Sequence, residues 1–172
     1  MNRTRVCDAR RARGMPTIAP WVLGPLGAVP FVALTPQARE YAMGYRVPFV
    51  LNAERTAKAQ VTYGAVILSF LGGMHWSLAG TKYGNPALSP RALRARYTWS
   101  VIPSLIAWPA LLMPEQAACA TVASGLAAAC AVDTKYAAQG AFPRWMLPLR
   151  YALTATGMAS LMATAMRDRG KA

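Results

Sequence analysis

An all-α bundle of about five membrane-crossing helices, with its N terminus on the matrix or cytoplasmic side, is the architecture this sequence predicts. Three observations carry that prediction. Apolar residues make up 55% of the 172 and charged residues only 15%, against about 25% charged in an ordinary soluble domain. The charges leave long gaps: none falls between Gln60 and Lys82, and only Glu115, Asp133 and Lys135 fall between Arg96 and Arg144. Uncharged runs of about 20 residues match a hydrocarbon core roughly 30 Å thick. Finally, Trp21, Tyr63, Trp76, Tyr97, Trp99, Tyr136, Trp145 and Tyr151 gather near the ends of these runs, where amphipathic rings prefer to sit.

The elements follow in order. Residues 1–16 form a basic extension; its first fifteen, MNRTRVCDARRARGM, hold five arginines and one acid. That bias is the one found in mitochondrial targeting segments, and the segment is expected to be retained; a solvated basic tail is the alternative. The first span, 17–35, is interrupted by Pro20, Pro25 and Pro30, so a kinked crossing and a re-entrant segment both remain open. Residues 37–60 are polar, and Asn52 to Gln60 is expected to form a short interfacial helix. The second span covers 61–79, the third 97–113 with Pro103 and Pro109 inside it, the fourth the alanine-rich 117–136, and the fifth 147–166. Residues 167–172 are a polar tail. The transmembrane domain is thus 17–166.

Nineteen Lys and Arg against six Asp and Glu give a net charge of +13. A nucleic-acid interface would concentrate those charges on one folded face, whereas here they occupy the tail and the connections, so no nucleic-acid partner is expected. The pattern fits the positive-inside rule and contact with anionic phospholipid, such as cardiolipin, at the basic connections. If all five segments cross, twelve Lys and Arg lie on the N-terminal side and seven on the other. Cys7, Cys119 and Cys130 include no C-x-x-C pair. Cys119 and Cys130 stand eleven residues apart on one helix, about 16 Å, too far for a disulfide; buried free thiols are expected.

Within the spans, small side chains recur every fourth residue. Ala65, Ser69, Gly73 and Ser77 form one stripe of the second span, with Gly64, Gly72 and Gly80 on the neighbouring line. Ala117, Thr121, Gly125 and Ala129 repeat the device in the fourth and lead to Asp133. Such stripes let helices approach closely in lipid; a path for a small permeant is the other reading. His75, the single histidine, is expected to donate to a carbonyl or carboxylate of a neighbouring helix. A haem held by two histidines would need a second one, and a proton relay would want more carboxylates at depth. Asp133 and Arg150 flank the connection between the fourth and fifth spans, so an antiparallel hairpin would let them pair; the alternative is that each reaches water on its own. No G-x-S-x-G, P-loop, dinucleotide fingerprint or zinc spacing is present. No catalytic residue, metal ligand or cofactor is assigned.

Several stretches carry a resemblance. YGAVILSFLGGMHWSLAG, YTWSVIPSLIAWPALLMP, the run from Asp133 through PRWMLPLRYALT, and GPLGAVPFVAL in the first span are similar to segments of the transmembrane protein 69-like family; Met146 replaces a usual aromatic. The resemblance covers roughly residues 20 to 165. It implies a small multi-helix membrane protein, mitochondrial in eukaryotes, with no established activity and no catalytic residues to carry over. The functional expectation is a structural accessory subunit of a mitochondrial inner-membrane respiratory-chain complex, packing against other membrane subunits. A small transporter or channel for an ion or metabolite, or a transient assembly factor, is the alternative.

Overall fold

The computed structural model describes residues 18–45, 52–84, 87 and 89–167. All of the basic N-terminal extension, with Cys7, residues 46–51 and nearly all of the C-terminal tail lie outside them. The described residues are all-α, with seven α-helices and no strand: α1 Ala19–Leu26, α2 Val29–Ala33, α3 Pro36–Gly44, α4 Ala53–Gly80, α5 Pro90–Ala110, α6 Glu115–Ala138 and α7 Leu147–Ala165, the last preceded by a 3-10 turn, Arg144–Met146.

Helices α4 to α7 form two hairpins, α4–α5 and α6–α7, and α4 also packs on α6 and α7. The predicted second, fourth and fifth spans coincide with α4, α6 and α7 to within a turn, except that α4 starts early. Asn52 caps α4 by accepting the Arg55 N–H at 2.8 Å, so the segment expected to be a separate interfacial helix is instead the first turns of a continuous 28-residue helix. The third span begins at Pro90, where Ser89 accepts the Ala92 N–H and a proline at the first position loses no bond. It ends at Ala110, short of the expected Met113.

The first span differs most from expectation. In place of one kinked helix, α1 and α2 are separate, and α3 leaves the α1–α2 direction at 76°. Pro25 and Pro30 lack the N–H that would continue the ladder. At the break, Thr35 N–H turns back to Val32 O at 3.1 Å, while its hydroxyl oxygen accepts from Ala38 N and caps α3. On length and composition α4 and α6 can each cross a bilayer, and the bent α1–α3 segment makes a third only if counted as one span. Thus two or three crossings meet that test instead of five. α5 falls short because Arg91, Arg94 and Arg96 occupy its first two turns, and α7 because Arg150 and several hydroxyls lower its hydropathy.

The interior is built from small and branched side chains. Leu68, Val122, Leu126, Leu161 and Phe31 meet at its centre, and Phe31 stacks edge-on against Tyr63 with ring centroids 5.2 Å apart. The outer surface is apolar too: Phe70, Leu105 and Trp108 are 63%, 65% and 67% exposed. A surface this apolar suits a lipid or protein environment better than water.

The two long helices end alike. After α6, Gly140 adopts φ +71°, with Ala141 N–H on Tyr136 O and Gly140 N–H on Ala137 O, the paired bonds of a Schellman cap. After α4 the same pair forms from Tyr83 to Leu78 and Lys82 to Ala79, with Lys82 taking the left-handed position at φ 48°. Both turns lie at one end of the bundle. There Gly84 fits against Gly140 so closely that a Cβ on Gly84 would overlap the Gly140 carbonyl.

Candidate functional site

The buried ionisable groups gather at that same end. His75 comes from the last turns of α4, Asp133 from the last turns of α6 and Arg150 from the first turn of α7. Hairpin geometry brings these positions to one level. Asp133 accepts from both sides: His75 Nε2 lies 2.7 Å from Oδ1, and Arg150 Nε–H donates to Oδ2 at 2.6 Å. All three are at most 5% exposed. The carboxylate charge is matched by the guanidinium, so with a neutral imidazole the cluster carries no net charge. The rings of Tyr136, Phe142 and Trp99 surround His75, with centroids 5.4, 5.9 and 6.5 Å away.

The cluster is not saturated. His75 Nδ1, Trp99 Nε1, Arg96 Nε and Arg150 Nη2 are buried without a hydrogen-bond partner among the described residues. A histidine held by a carboxylate is the base-and-orienter half of a nucleophilic site. Here, though, the nitrogen that would face a nucleophile, Nδ1, meets none among the described residues. The arrangement ties α4, α6 and α7 together and leaves donors over.

Three further polar ties escaped the sequence. In the sequence Arg96 reads as a charge in a connection. It is buried inside α5, its Nη1 and Nη2 donating to Tyr83 O at 3.2 Å and Ala141 O at 2.6 Å, with its guanidinium 5.5 Å from the Tyr136 ring centre. It therefore holds the two hairpin turns to each other. In the sequence Gln60 reads as the end of a polar segment. It is wholly buried, its amide donating to Phe31 O at 2.7 Å while its Oε1 accepts the Thr164 hydroxyl at 2.6 Å. Because Thr35 N–H bonds to Val32, the Phe31 carbonyl is an orphan of the helix end, and Gln60 satisfies it. At the far end, Glu115 accepts from Arg167 at 3.1 Å, and Arg167 also reaches Ala53 O. A lone polar residue at the edge of an apolar run gives no sign of which way it turns, so none of these was legible.

The packing seams need a correction. Of the stripe Ala65, Ser69, Gly73 and Ser77, only Ala65 is buried; Ser69 is half-buried, and Gly73 and Ser77 face outward. The close approach runs along the neighbouring line. A Cβ on Gly72 would overlap Ser100 O and press on Pro103, and one on Gly64 would lie 2.8 Å from Val122. In α6, Ala117 is exposed and Thr121 half-buried, whereas Gly125, Ala129 and Asp133 are buried, with Gly125 against Leu68. Cys119 and Cys130 are buried free thiols.

Comparison with known proteins is informative about kinship. A family model described as protein of unknown function (DUF3429) matches residues 16–166. Transmembrane protein 69 of Xenopus tropicalis is 32% identical over 152 residues, 83% of this chain and 51% of that protein, so the chain spans about half the length of that curated relative. No solved structure matches the chain.

Proposed function

The chain belongs to the DUF3429 family, whose relatives include transmembrane protein 69, and on that premise we propose that this membrane protein is a structural accessory subunit of a mitochondrial inner-membrane assembly, a respiratory-chain complex in particular, without catalysis of its own. One observation carries the reading. Buried hydrogen bonds through Asp133, Arg96 and Gln60 tie the helices and their turns together, while the outer surface is apolar and aromatic. Such a body offers other membrane subunits and lipid a rigid surface to pack on.

The topology we propose has five crossings, with α1–α3 as a bent first one. α5 has 21 residues and α7 has 19, about 30 Å each at 1.5 Å per residue, enough for the hydrocarbon core. The N terminus faces the matrix in this topology, supported by the twelve-to-seven Lys and Arg bias and the arginine-rich extension. Lys82, Arg91, Arg94, Lys135 and Arg144 are all exposed at the end of the bundle where α1 begins, and anionic phospholipid such as cardiolipin is the partner proposed for them. Extraction of the tagged chain from membranes in a mild detergent, followed by native electrophoresis, tests the role. Stoichiometric migration with a large assembly is expected, and migration alone would refute it. A substoichiometric, transient association would point to an assembly factor.

A transport function is favoured by one feature, the unpartnered His75 Nδ1 beside Trp99 Nε1 and Arg150 Nη2. Ion or metabolite flux in proteoliposomes, lost in His75→Ala, would establish it over the structural role.

A further inference from the structure

A groove of about 310 Å³ runs between α1–α2 on one side and α4 and α7 on the other. Its walls include Leu23, Gly24, Ala28, Phe70, Leu153 and Arg150. Leu23 and Phe70 are 64% and 63% exposed, so the groove opens to the outer surface of the bundle. Gly24, Gly27 and Ala28 line it with almost no side chain. Arg150 is its only charged wall residue.

We propose that this groove is a specific site for one acyl chain of a membrane glycerolipid, with the chain's ester carbonyl accepting a hydrogen bond from the Arg150 guanidinium. Three arguments select that occupant. The groove is apolar along its length and opens on the surface that faces lipid. Arg150 lines the groove, is nine-tenths buried, and among the described residues its guanidinium makes one hydrogen bond, Nε to Asp133; a buried guanidinium with donors left over is costly, so a ligand that brings an acceptor is favoured. Asp133 already neutralises the Arg150 charge at 2.6 Å. A neutral carbonyl oxygen therefore satisfies the remaining donor without setting a second negative charge beside Asp133. Arg150 also stands in the first turn of α7, near one boundary of the proposed span and at the depth of the ester layer. The inference requires the chain to lie in a bilayer and does not require it to be a subunit of any assembly.

Native mass spectrometry of the full chain in mild detergent tests this, with titration by a diacyl phospholipid and by the dialkyl ether lipid of identical headgroup and chain length. The ether lipid lacks only the carbonyls. A preference of about three- to tenfold for the ester is expected, the range that intramembrane hydrogen bonds support. Arg150→Lys keeps the charge beside Asp133 but loses the forked donors, and it should reduce the preference to about onefold. Ala28→Phe fills the groove without touching the charged cluster and should weaken the retention of both lipids. Equal retention of ester and ether by the unaltered chain would overturn the proposal. So would unchanged retention in Ala28→Phe, or a co-purifying ligand without an acyl ester, such as a quinone or a peptide. If Arg150→Lys fails to fold, the ester–ether comparison and Ala28→Phe decide alone.

Discussion

Arg150 and Asp133 stand 17 residues apart in sequence and form a buried charge pair, Nε to Oδ2 at 2.6 Å, on the two arms of the α6–α7 hairpin. Removing either partner strands the other in a buried site. Arg150→Met or Asp133→Ala should each destabilise the bundle by about 3–5 kcal/mol. The double substitution should cost clearly less than the sum. Thermal unfolding in one fixed detergent measures all three, and strictly additive losses would show that the pair is not coupled.

Gly72 and Gly73 are neighbours with opposite surroundings. A methyl on Gly72 would overlap the Ser100 carbonyl, whereas one on Gly73 meets nothing within 4 Å. Gly72→Ala should destabilise by about 1–3 kcal/mol through overpacking. Gly73→Ala should be neutral or stabilising by up to about 1 kcal/mol, because alanine is the better helix former. Unfolding midpoints of the two variants, side by side, check which line of the helix is the seam.

Gln60→Leu keeps the approximate volume but removes both polar ends. Phe31 O and the Thr164 hydroxyl would lose their bonds to it, a cost of about 1–3 kcal/mol. The loss should be felt locally, since Gln60 joins α2 to the rest. Hydrogen exchange in α2 should accelerate while exchange in α6 stays slow; uniform acceleration would contradict that assignment.

The two hairpin turns predict a graded series. Gly84 sits at φ +83° against Gly140, so Gly84→Ala adds backbone strain to a collision. Gly140→Ala meets open space and carries only the left-handed strain, about 1–2 kcal/mol. Stability should therefore fall in the order parent, Gly140→Ala, Gly84→Ala. A reversal in denaturation experiments would mean that the turns do not touch.

The sequence revealed the helices because lipid-facing runs are written in composition: the charge gap from Gln60 to Lys82 survives any choice of packing partner. It also exposed Asp133 and Arg150, because a hairpin of known connection length sets their levels. It did not reveal which small-residue line of α4 faces inward. Gly72 and Gly73 are about 100° apart on the helix, and only the approach of Ser100 and Pro103 distinguishes them. Gln60, Arg96 and Glu115 were illegible for a related reason. Each takes its meaning from an acceptor or donor 29, 45 or 52 residues away, and spacing along one helix carries no information about that. The bend at Thr35 was half legible: the prolines announce an interruption, but the choice between a kink and a break rests on the hydroxyl that caps α3.

Arg96 reaches Ala141, 45 residues further along the chain, and this has a consequence for the order of synthesis. At about 5–20 residues per second, the ribosome delivers that acceptor several seconds after the arginine. During that interval α4 and α5 have been made while Arg96 and His75 await Ala141 and Asp133. The nascent first hairpin is therefore an incomplete product marked by one guanidinium and one imidazole without their partners, and arrival of the second hairpin is what erases the mark.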